Sequence, residues 1–129
     1  MTEQTCPFCT LPHGRIVGQN EHAIWIRDAF PISAGHSLII PRRHAASFFE
    51  TTEPERTALL TLLDAAKVAA DLECRPDGFN IGINDGPAAG QTVLHLHVHL
   101  IPRFKGDLSD PRGGVRWVIP EKADYWTKR

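Results

Sequence analysis

Residues 90–103 read Gly90-Gln91-Thr92-Val93-Leu94-His95-Leu96-His97-Val98-His99-Leu100-Ile101-Pro102-Arg103. Histidines alternate with apolar residues here, as side chains do on the two faces of a β-strand. We therefore expect a strand over about residues 93–102, with the three histidines on one face and Leu96, Val98 and Leu100 packed beneath. A polar strand face without function is the simpler alternative. Strict alternation behind a Gly-Gln-Thr turn favours an active site instead.

The spacing of the three histidines disfavours one shared metal ion. His95 and His99 would lie ~13 Å apart along an extended strand, whereas a metal–nitrogen bond is about 2 Å long. The row better suits an extended polyanion such as a phosphate chain, with different rings as nucleophile, acid or orienting group. A zinc-dependent enzyme with His97 and His99 as metal ligands stays open as an alternative.

The rest of the chain predicts a sheet and one long helix. Ile24–Asp28 and Ser37–Ile40 are short apolar runs that suit an antiparallel pair, and a strand near Phe79–Asn84 pairs with the histidine strand. Thr52 begins a helix over about residues 53–74, because Glu55 completes a capping-box pattern. The predicted class is therefore α+β.

Length, composition and charge exclude several classes of protein. The chain has 129 residues, 42% of them hydrophobic and 22% charged, which fits a single domain over residues 1–129. A net charge of -1 gives no electrostatic reason to expect nucleic acid or an anionic membrane as partner. Residues 1–5 are polar and lack a signal-peptide core, so the default expectation is a cytoplasmic location.

The three cysteines predict metal or redox chemistry near the N-terminus. Cys6 and Cys9 have C-x-x-C spacing, and a reducing compartment disfavours a disulfide scaffold. A redox pair is the rival interpretation, but the thioredoxin-like context is missing. Cys74 stands alone, and we expect it to be a small buried side chain at the end of the helix.

These motifs together resemble the histidine triad (HIT) family of nucleotidyl hydrolases and transferases. The resemblance covers nearly the whole chain and rests on the following segments in family order: Cys6-Pro7-Phe8-Cys9, Arg27-Asp28-Ala29-Phe30-Pro31, Gly35-His36-Ser37-Leu38-Ile39-Ile40-Pro41, Asn84-Asp85-Gly86 and the triad itself. The segment Gly113-Gly114-Val115-Arg116-Trp117 is similar to the bacterial members. The implied fold is an antiparallel sheet of about five strands with one long helix, a short helix and a C-terminal tail packed on the domain.

The resemblance implies a role for each matching residue. His97 matches the nucleophile that forms a nucleotidyl-histidine intermediate at the α-phosphate, His99 matches a contact to the phosphate and leaving group, and His36 joins them from the preceding strand. Gln91, Thr92 and Asn84 match donors to phosphate or sugar. Asp28 matches the acceptor for the ribose hydroxyls, although a turn residue would look the same. Phe8, Leu11 and Ile26 match the base pocket, with plain core packing as an equal alternative.

A second set of residues resembles the zinc site of the branch that contains cysteines. The resemblance implies that Cys6, Cys9, His44 and His95 hold a structural Zn²⁺, which removes His95 from catalysis and leaves no cofactor required for the reaction. It also implies a purine nucleotide as substrate and a homodimer, the latter by analogy alone. The alternative function is a nucleotide-binding zinc protein with weak or no catalysis.

Overall fold

A computed structural model describes residues 2–128, and its centre is a five-stranded antiparallel sheet. The strands are β1 (Ile16–Gln19), β2 (Ala23–Arg27), β3 (Ser37–Pro41), β4 (Gly78–Gly82) and β5 (Val98–Arg103), in the spatial order β1-β2-β3-β5-β4. The helices are α1 (Glu53–Glu73) and the short α2 (Pro120–Ala123). The predicted α+β fold, with one long and one short helix, is confirmed. The sequence patterns did not indicate β1, which has only four residues.

The two faces of the sheet are covered by different parts of the chain. Successive side chains of a strand point to opposite faces, so Trp25 and Ile39 pack with one side of α1, where the buried positions include Ala58, Leu59, Leu62 and Ala66. On the other face, Ile24, Ile26, Leu38 and Ile40 form a second cluster that Phe8, Leu11 and Ile16 cover. Because both faces are covered, β2 and β3 are buried over nearly their whole length.

Local hydrogen bonds of the capping residues define the ends of the helix α1. Thr52 Oγ1 accepts from the Glu55 backbone N–H at 3.3 Å, and the Thr52 N–H donates to Glu55 Oε1 at 2.8 Å, which completes the capping box. Arg43 adds a two-pronged contact to the same carboxylate, at 2.9 and 3.0 Å. The hydrogen bonds from Arg43 hold the pKa of Glu55 at about 2. The helix ends at Glu73, and the half-buried Cys74 follows as its C-cap.

The histidine strand is shorter than the sequence predicts. The regular strand covers Val98–Arg103 rather than residues 93–102, so only His99 lies within it. β3 pairs with β5 from Ser37↔Leu100 to Ile39↔Val98 and no further. Pro41 closes β3 and has no N–H to continue the ladder. Before Val98 the chain turns away, and the Leu96 N–H donates to the Ala45 carbonyl instead, at 2.8 Å.

The C-terminal tail forms ordered turns beside the edge strand β4. Gly113 and Gly114 have φ angles of 94° and 46°, and a Cβ on Gly113 would lie 3.0 Å from the Trp126 ring, so this corner requires glycine. A 3₁₀ turn over Gly114–Val118 follows. Arg116 donates to the Ala123 carbonyl at 2.9 Å and closes the tail on itself. Among the described residues, no helix has the length and apolar character to cross a membrane.

Candidate active site and metal centre

His97 is held in one tautomer by its own backbone. Its Nδ1 lies 2.9 Å from the carbonyl oxygen of His95. A carbonyl oxygen only accepts hydrogen bonds, so Nδ1 carries the proton and the lone pair of the neutral ring is on Nε2. The ring is half-buried, and its centroid lies 5.2 Å from that of His99.

His99 is the second ring of the site, and it is oriented by His36, which lies immediately before β3 rather than within it. The Ile32 N–H donates to His36 Nδ1 at 3.1 Å, so neutral His36 carries its proton on Nε2. That Nε2 lies 3.0 Å from His99 Nδ1 and 3.3 Å from Asp28 Oδ2. When His99 accepts this hydrogen bond at Nδ1, its own N–H is on Nε2. The pair therefore presents a lone pair on His97 beside an N–H donor on His99.

Burial favours the neutral forms of the His36 and His99 rings. Burial lowers the pKa of His36, although the nearby Asp28 carboxylate opposes this. Burial also lowers the pKa of His99 to about 4, and the neighbouring His97 and His36 add to the effect. His36 and His99 consequently add little positive charge to the site near neutral pH. A neutral imidazole is the form that can act as nucleophile.

We expect the protein to lose stability as the pH falls from about 6.5 to about 4. The pKa of His99 is lower in the folded chain than in the unfolded chain. The contribution of this residue to the free energy of unfolding is therefore fully present above the pKa of the unfolded chain. It is lost as the pH falls toward the pKa of the folded chain. Urea unfolding between pH 7 and 4 measures this, and His99→Gln should flatten the profile. An identical slope in wild type and H99Q would contradict the assignment.

Asp28 faces both the site and its own turn. One carboxylate oxygen accepts from the Phe30 N–H at 2.8 Å, as a turn residue would. The other lies near His36. The two interpretations from the sequence, turn residue and site residue, therefore describe the two oxygens of one side chain. Contact with a ribose stays a prediction.

The glycine-rich loop before the triad is held by its own hydrogen bonds. Gln91 is buried; its amide donates to the carbonyls of Ala46 and Val93 at 2.8 and 3.1 Å and accepts from the Gly86 N–H at 2.8 Å. Both amide hydrogens are thus occupied, so in this conformation Gln91 shapes the loop and does not offer them to a phosphate. Thr92 is exposed.

The backbone of the same loop is also largely occupied. The N–H groups of Ala89, Gly90 and Gln91 donate to carbonyls within the turn. These three amides are therefore not available to a phosphate in this conformation. Asp85 fixes the loop to the segment before α1. The sequence patterns did not indicate this role for its side chain. Its carboxylate accepts from Ser47 Oγ at 3.1 Å and from the Phe48 N–H at 2.9 Å.

The three residues expected in the base pocket lie together, but they are unequally exposed. Ile26 is fully buried, so its side chain cannot touch a ligand in this conformation and instead forms the floor of the cluster. Phe8 and Leu11 cover that cluster and are half-buried. The Phe8 ring centroid is 5.3 Å from that of His97, which places an aromatic ring next to the second histidine of the triad.

Cys6, Cys9, His44 and His95 form a compact cluster of possible metal ligands. His95 Nδ1 lies 3.5 Å from each cysteine sulfur and 3.3 Å from His44 Nδ1, and Cys9 Sγ lies 3.2 Å from His44 Nδ1. Ligand atoms on one tetrahedral zinc ion lie ~3.3–3.8 Å apart, given bonds of about 2.0–2.3 Å. His95 Nε2 lies 2.8 Å from the Pro41 carbonyl, so its proton is there and Nδ1 has the free lone pair.

The chemistry of this cluster also suits a cation. Burial and the adjacent Cys6 sulfur raise the pKa of Cys9 to about 11. Two deprotonated sulfurs at this position therefore need a positive charge beside them, which a divalent metal supplies. The geometry and the donor set both fit Zn²⁺ as the resemblance implied.

A cavity of about 640 Å³ opens beside His99, and we call it the tail cavity. Its lining includes His99, Asn84 and the following apolar side chains: Ile81, Ile101, Leu108, Val115, Trp117 and Val118. Two of the sheet strands and the C-terminal tail thus share one wall. Trp117 is the tail aromatic residue that lines this cavity.

The sheet, the paired histidines and the cysteine cluster define a small domain of the histidine triad class. A family model described as "HIT domain" matches residues 12–106. The chain therefore belongs to the HIT family.

Relatives of this chain include both uncharacterized proteins and named enzymes. An uncharacterized HIT-like protein of Mycoplasma genitalium is 38% identical over 81% of this chain and 77% of its own. Adenylylsulfatase HINT3 of Arabidopsis thaliana is 33% identical over 81% of this chain, and AP-4-A phosphorylase of Mycobacterium tuberculosis is 31% identical over 78%. This chain spans 55% of the length of each of these two enzymes.

Solved structures have the same fold. A HIT family protein from Bacillus anthracis is 34% identical with a TM-score of 0.75, covering 82% of this chain and 78% of that one. A zinc-bound histidine triad family protein from Mycobacterium smegmatis is 33% identical with a TM-score of 0.73, covering 82% and 80%.

Proposed function

We propose that this protein cleaves nucleotide conjugates at the α-phosphate through a covalent nucleotidyl intermediate on His97. The observation that carries the proposal is the hydrogen bond from His97 Nδ1 to the His95 carbonyl, at 2.9 Å. In the neutral form of this half-buried ring, the bond leaves an in-plane lone pair on Nε2, beside a second imidazole. That is the arrangement a nitrogen nucleophile needs. The adenylylsulfatase and AP-4-A phosphorylase among the relatives support a nucleotide substrate.

The first step transfers the nucleotidyl group to the enzyme. The Nε2 lone pair of His97 forms a bond to phosphorus, and the bond from phosphorus to the leaving atom breaks. The leaving atom keeps the electron pair and takes a proton from Nε2 of His99. His99 enters this step protonated, because the negative phosphate bound beside it raises its pKa. In this state His99 carries a proton on both nitrogens, so His36 takes the tautomer whose Nε2 accepts from His99 Nδ1, 3.0 Å away. Asp28 lies 3.3 Å from the same Nε2.

The second step releases the nucleotide. A water oxygen attacks phosphorus, the bond to His97 Nε2 breaks, and its electron pair returns to that nitrogen. His99, now neutral, takes the proton from the water. The products are the nucleoside monophosphate and the protonated leaving group, and the enzyme returns to its starting state.

Other residues bind the substrate in this proposal. Thr92 offers its exposed hydroxyl to the phosphate, and Asn84 lies at the rim of the tail cavity next to His99. Phe8 and Leu11 take a purine base on the other side of His97, with Ile26 beneath them. Asp28 accepts the ribose hydroxyls, and Gln91 keeps the loop in shape.

Zn²⁺ on Cys6, Cys9, His44 and His95 has a structural role in this proposal. Bound there, it fastens the N-terminal segment, and with it Phe8, to the start of the triad. Among the described residues, the groups able to hold a metal are this cluster and Asp28, His36 and His99. His97 belongs to neither group, which counts against the alternative of a zinc-dependent enzyme with His97 and His99 as ligands.

We further propose a homodimer, by analogy with the family. Val68 and Leu72 on α1 are 56% and 78% exposed, and the edge of β4 has no partner strand in the described residues. Light scattering measures the mass in solution, and a monomer at micromolar concentration would contradict this part.

The experiment that tests the reaction is a quench of the enzyme during turnover of adenosine 5′-phosphoramidate. We expect AMP as product and a protein species heavier by one adenylyl group, with the added mass on the peptide that contains His97. An acid-labile bond identifies a phosphorus–nitrogen linkage. Product formation with the added mass on another residue, or binding of AMP without turnover of any conjugate, would contradict the proposal.

A further inference from the structure

The glycine-rich loop, residues 86–91, is closed by hydrogen bonds between its two ends. The Gly86 N–H donates to Gln91 Oε1 at 2.8 Å, and the Gln91 N–H donates to the Gly86 carbonyl at 3.1 Å. Between them the chain makes a 3₁₀ turn over Pro87–Ala89. Because its ends are joined in this way, the loop behaves as one unit, and its place in the molecule depends on what holds that unit from outside.

Two side chains attach this loop to the short segment before α1. The Gln91 amide donates to the Ala46 carbonyl at 2.8 Å. Asp85 Oδ2 accepts from Ser47 Oγ at 3.1 Å and from the Phe48 N–H at 2.9 Å. These attachments lie at opposite ends of the loop, so together they fix its orientation. Without the bonds of Asp85, the loop would keep the attachment through Gln91 and could pivot about it.

The residues next to this loop are the ones that the proposed reaction uses to bind phosphate or sugar. Asn84 directly precedes Asp85 and lines the tail cavity together with His99. Thr92 directly follows Gln91, and its side chain is exposed. A displacement of about 1 Å of such groups can slow an enzymatic reaction about 100-fold, even when the change that causes it lies away from the chemistry. The attachment of the loop therefore bears on the rate.

The carboxylate of Asp85 is used as a hydrogen-bond acceptor. The ion pairs of the described residues do not include it, nor do the two groups able to hold a metal. It is also absent from the lining of the tail cavity, whereas Asn84 is present there. Both hydrogen bonds end on one oxygen, Oδ2, and both donors are neutral. The oxygen of an uncharged amide can accept the same two bonds.

We propose that Asp85 is a positioning residue for the transfer step, and that it acts through the acceptor capacity of one oxygen rather than through its charge. This inference rests on the proposed function. Asp85 holds Asn84 and Thr92 where the phosphate binds and takes no part in proton transfer. The proposed base pocket around Phe8 belongs to the N-terminal segment, so nucleotide affinity does not depend on Asp85.

The test compares Asp85→Ala, which removes both hydrogen bonds, with Asp85→Asn, which removes the charge and keeps an acceptor. We would measure KM and kcat for adenosine 5′-phosphoramidate, with kcat expressed per AMP-binding site from a titration. D85A should lower kcat about 100-fold and leave KM within a few-fold, whereas D85N should retain most of the wild-type kcat. Asp77→Ala is the matched control, since Asp77 accepts the Lys105 N–H at 2.8 Å in the turn before β4. Its kcat and KM should not change.

Hydrogen exchange of the substrate-free protein provides a readout that does not need activity. D85A should speed exchange of the Gly86 and Gln91 amides and leave the amides of α1 as protected as in the wild type. D85N should match the wild type throughout. Faster exchange in α1 as well, with an unchanged kcat per binding site, would make Asp85 merely structural and overturn the proposal.

The kinetic outcomes separate this inference from the proposed function. A kcat in D85N as low as in D85A would show that the charge is required and would overturn the positioning role. A wild-type kcat in D85A would overturn it as well. If the wild-type enzyme turns over no conjugate, the proposed function is wrong, and the exchange pattern of the two variants still tests whether Asp85 holds the loop.

Discussion

His97→Ala is expected to lower kcat by a factor on the order of 10⁴, the size of effect seen when a catalytic nucleophile is removed. The variant retains Phe8 and Asp28, so nucleotide binding should persist within a few-fold of wild type. The Nε2 atom of His97 forms the covalent intermediate in the proposed reaction, so the substitution removes the reacting group. Steady-state kinetics and equilibrium binding of AMP measure the two effects separately.

His97→Asn provides the matched variant for this experiment. The asparagine amide can still donate to the His95 carbonyl, as Nδ1 does at 2.9 Å in the wild type. It removes the nucleophile and keeps the local hydrogen bond, so H97N should be as inactive as H97A and fold as well as wild type. His22→Ala is the control for loss of an imidazole outside the site, since His22 lies at the turn before β2. Undiminished turnover in both His97 variants would defeat the assignment.

Cys6→Ser and Cys9→Ser are expected to remove bound zinc and to lower the midpoint of thermal unfolding by about 10 °C, or ~3 kcal/mol. Structural Zn²⁺ contributes its binding free energy to the folded state. The loss should be partial rather than complete unfolding, because α1 and both hydrophobic clusters remain. Elemental analysis should give about one zinc per wild-type chain and much less in either variant. A strong chelator should reproduce the shift in the wild type.

Cys74→Ser is the matched control, because Cys74 lies at the end of α1 and outside the metal cluster. It should retain zinc and unfold at nearly the wild-type temperature. A second consequence follows for the active site: Cys6 and Cys9 fix the segment that holds Phe8 against His97, so KM for the nucleotide should rise in C6S. A metal-free wild-type protein that unfolds at the same temperature as C6S would contradict the metal centre.

Local signals in the sequence were sufficient for some elements. The capping box at Thr52 and Glu55 involves atoms three residues apart, so it predicted the start of α1 without tertiary information. The alternation of the triad predicted that His97 and His99 would be neighbours, which the ring distance of 5.2 Å confirms. The same alternation predicted a strand that is too long. A pattern within one strand contains no information about where the neighbouring strand β3 ends, which is at Pro41.

Contacts between distant segments produced what the sequence analysis missed. Asp85 reaches Ser47 and Phe48 across 38 and 37 residues. The tail cavity needs β4, β5 and the tail together, and no periodic pattern in residues 103–129 indicates it. The amide hydrogens of Gln91 are occupied by Ala46 and Val93, which a motif match cannot reveal.

By itself, the amino-acid sequence determined the α+β class, the bounds of α1 and the family, because these depend on short-range periodicity, capping and motif order. Tertiary structure alone decided which nitrogen of each histidine carries the proton and what lies beyond His99. Those properties depend on single hydrogen bonds, such as those to the carbonyls of His95 and Pro41, and on surfaces assembled from strands and tail far apart in the chain.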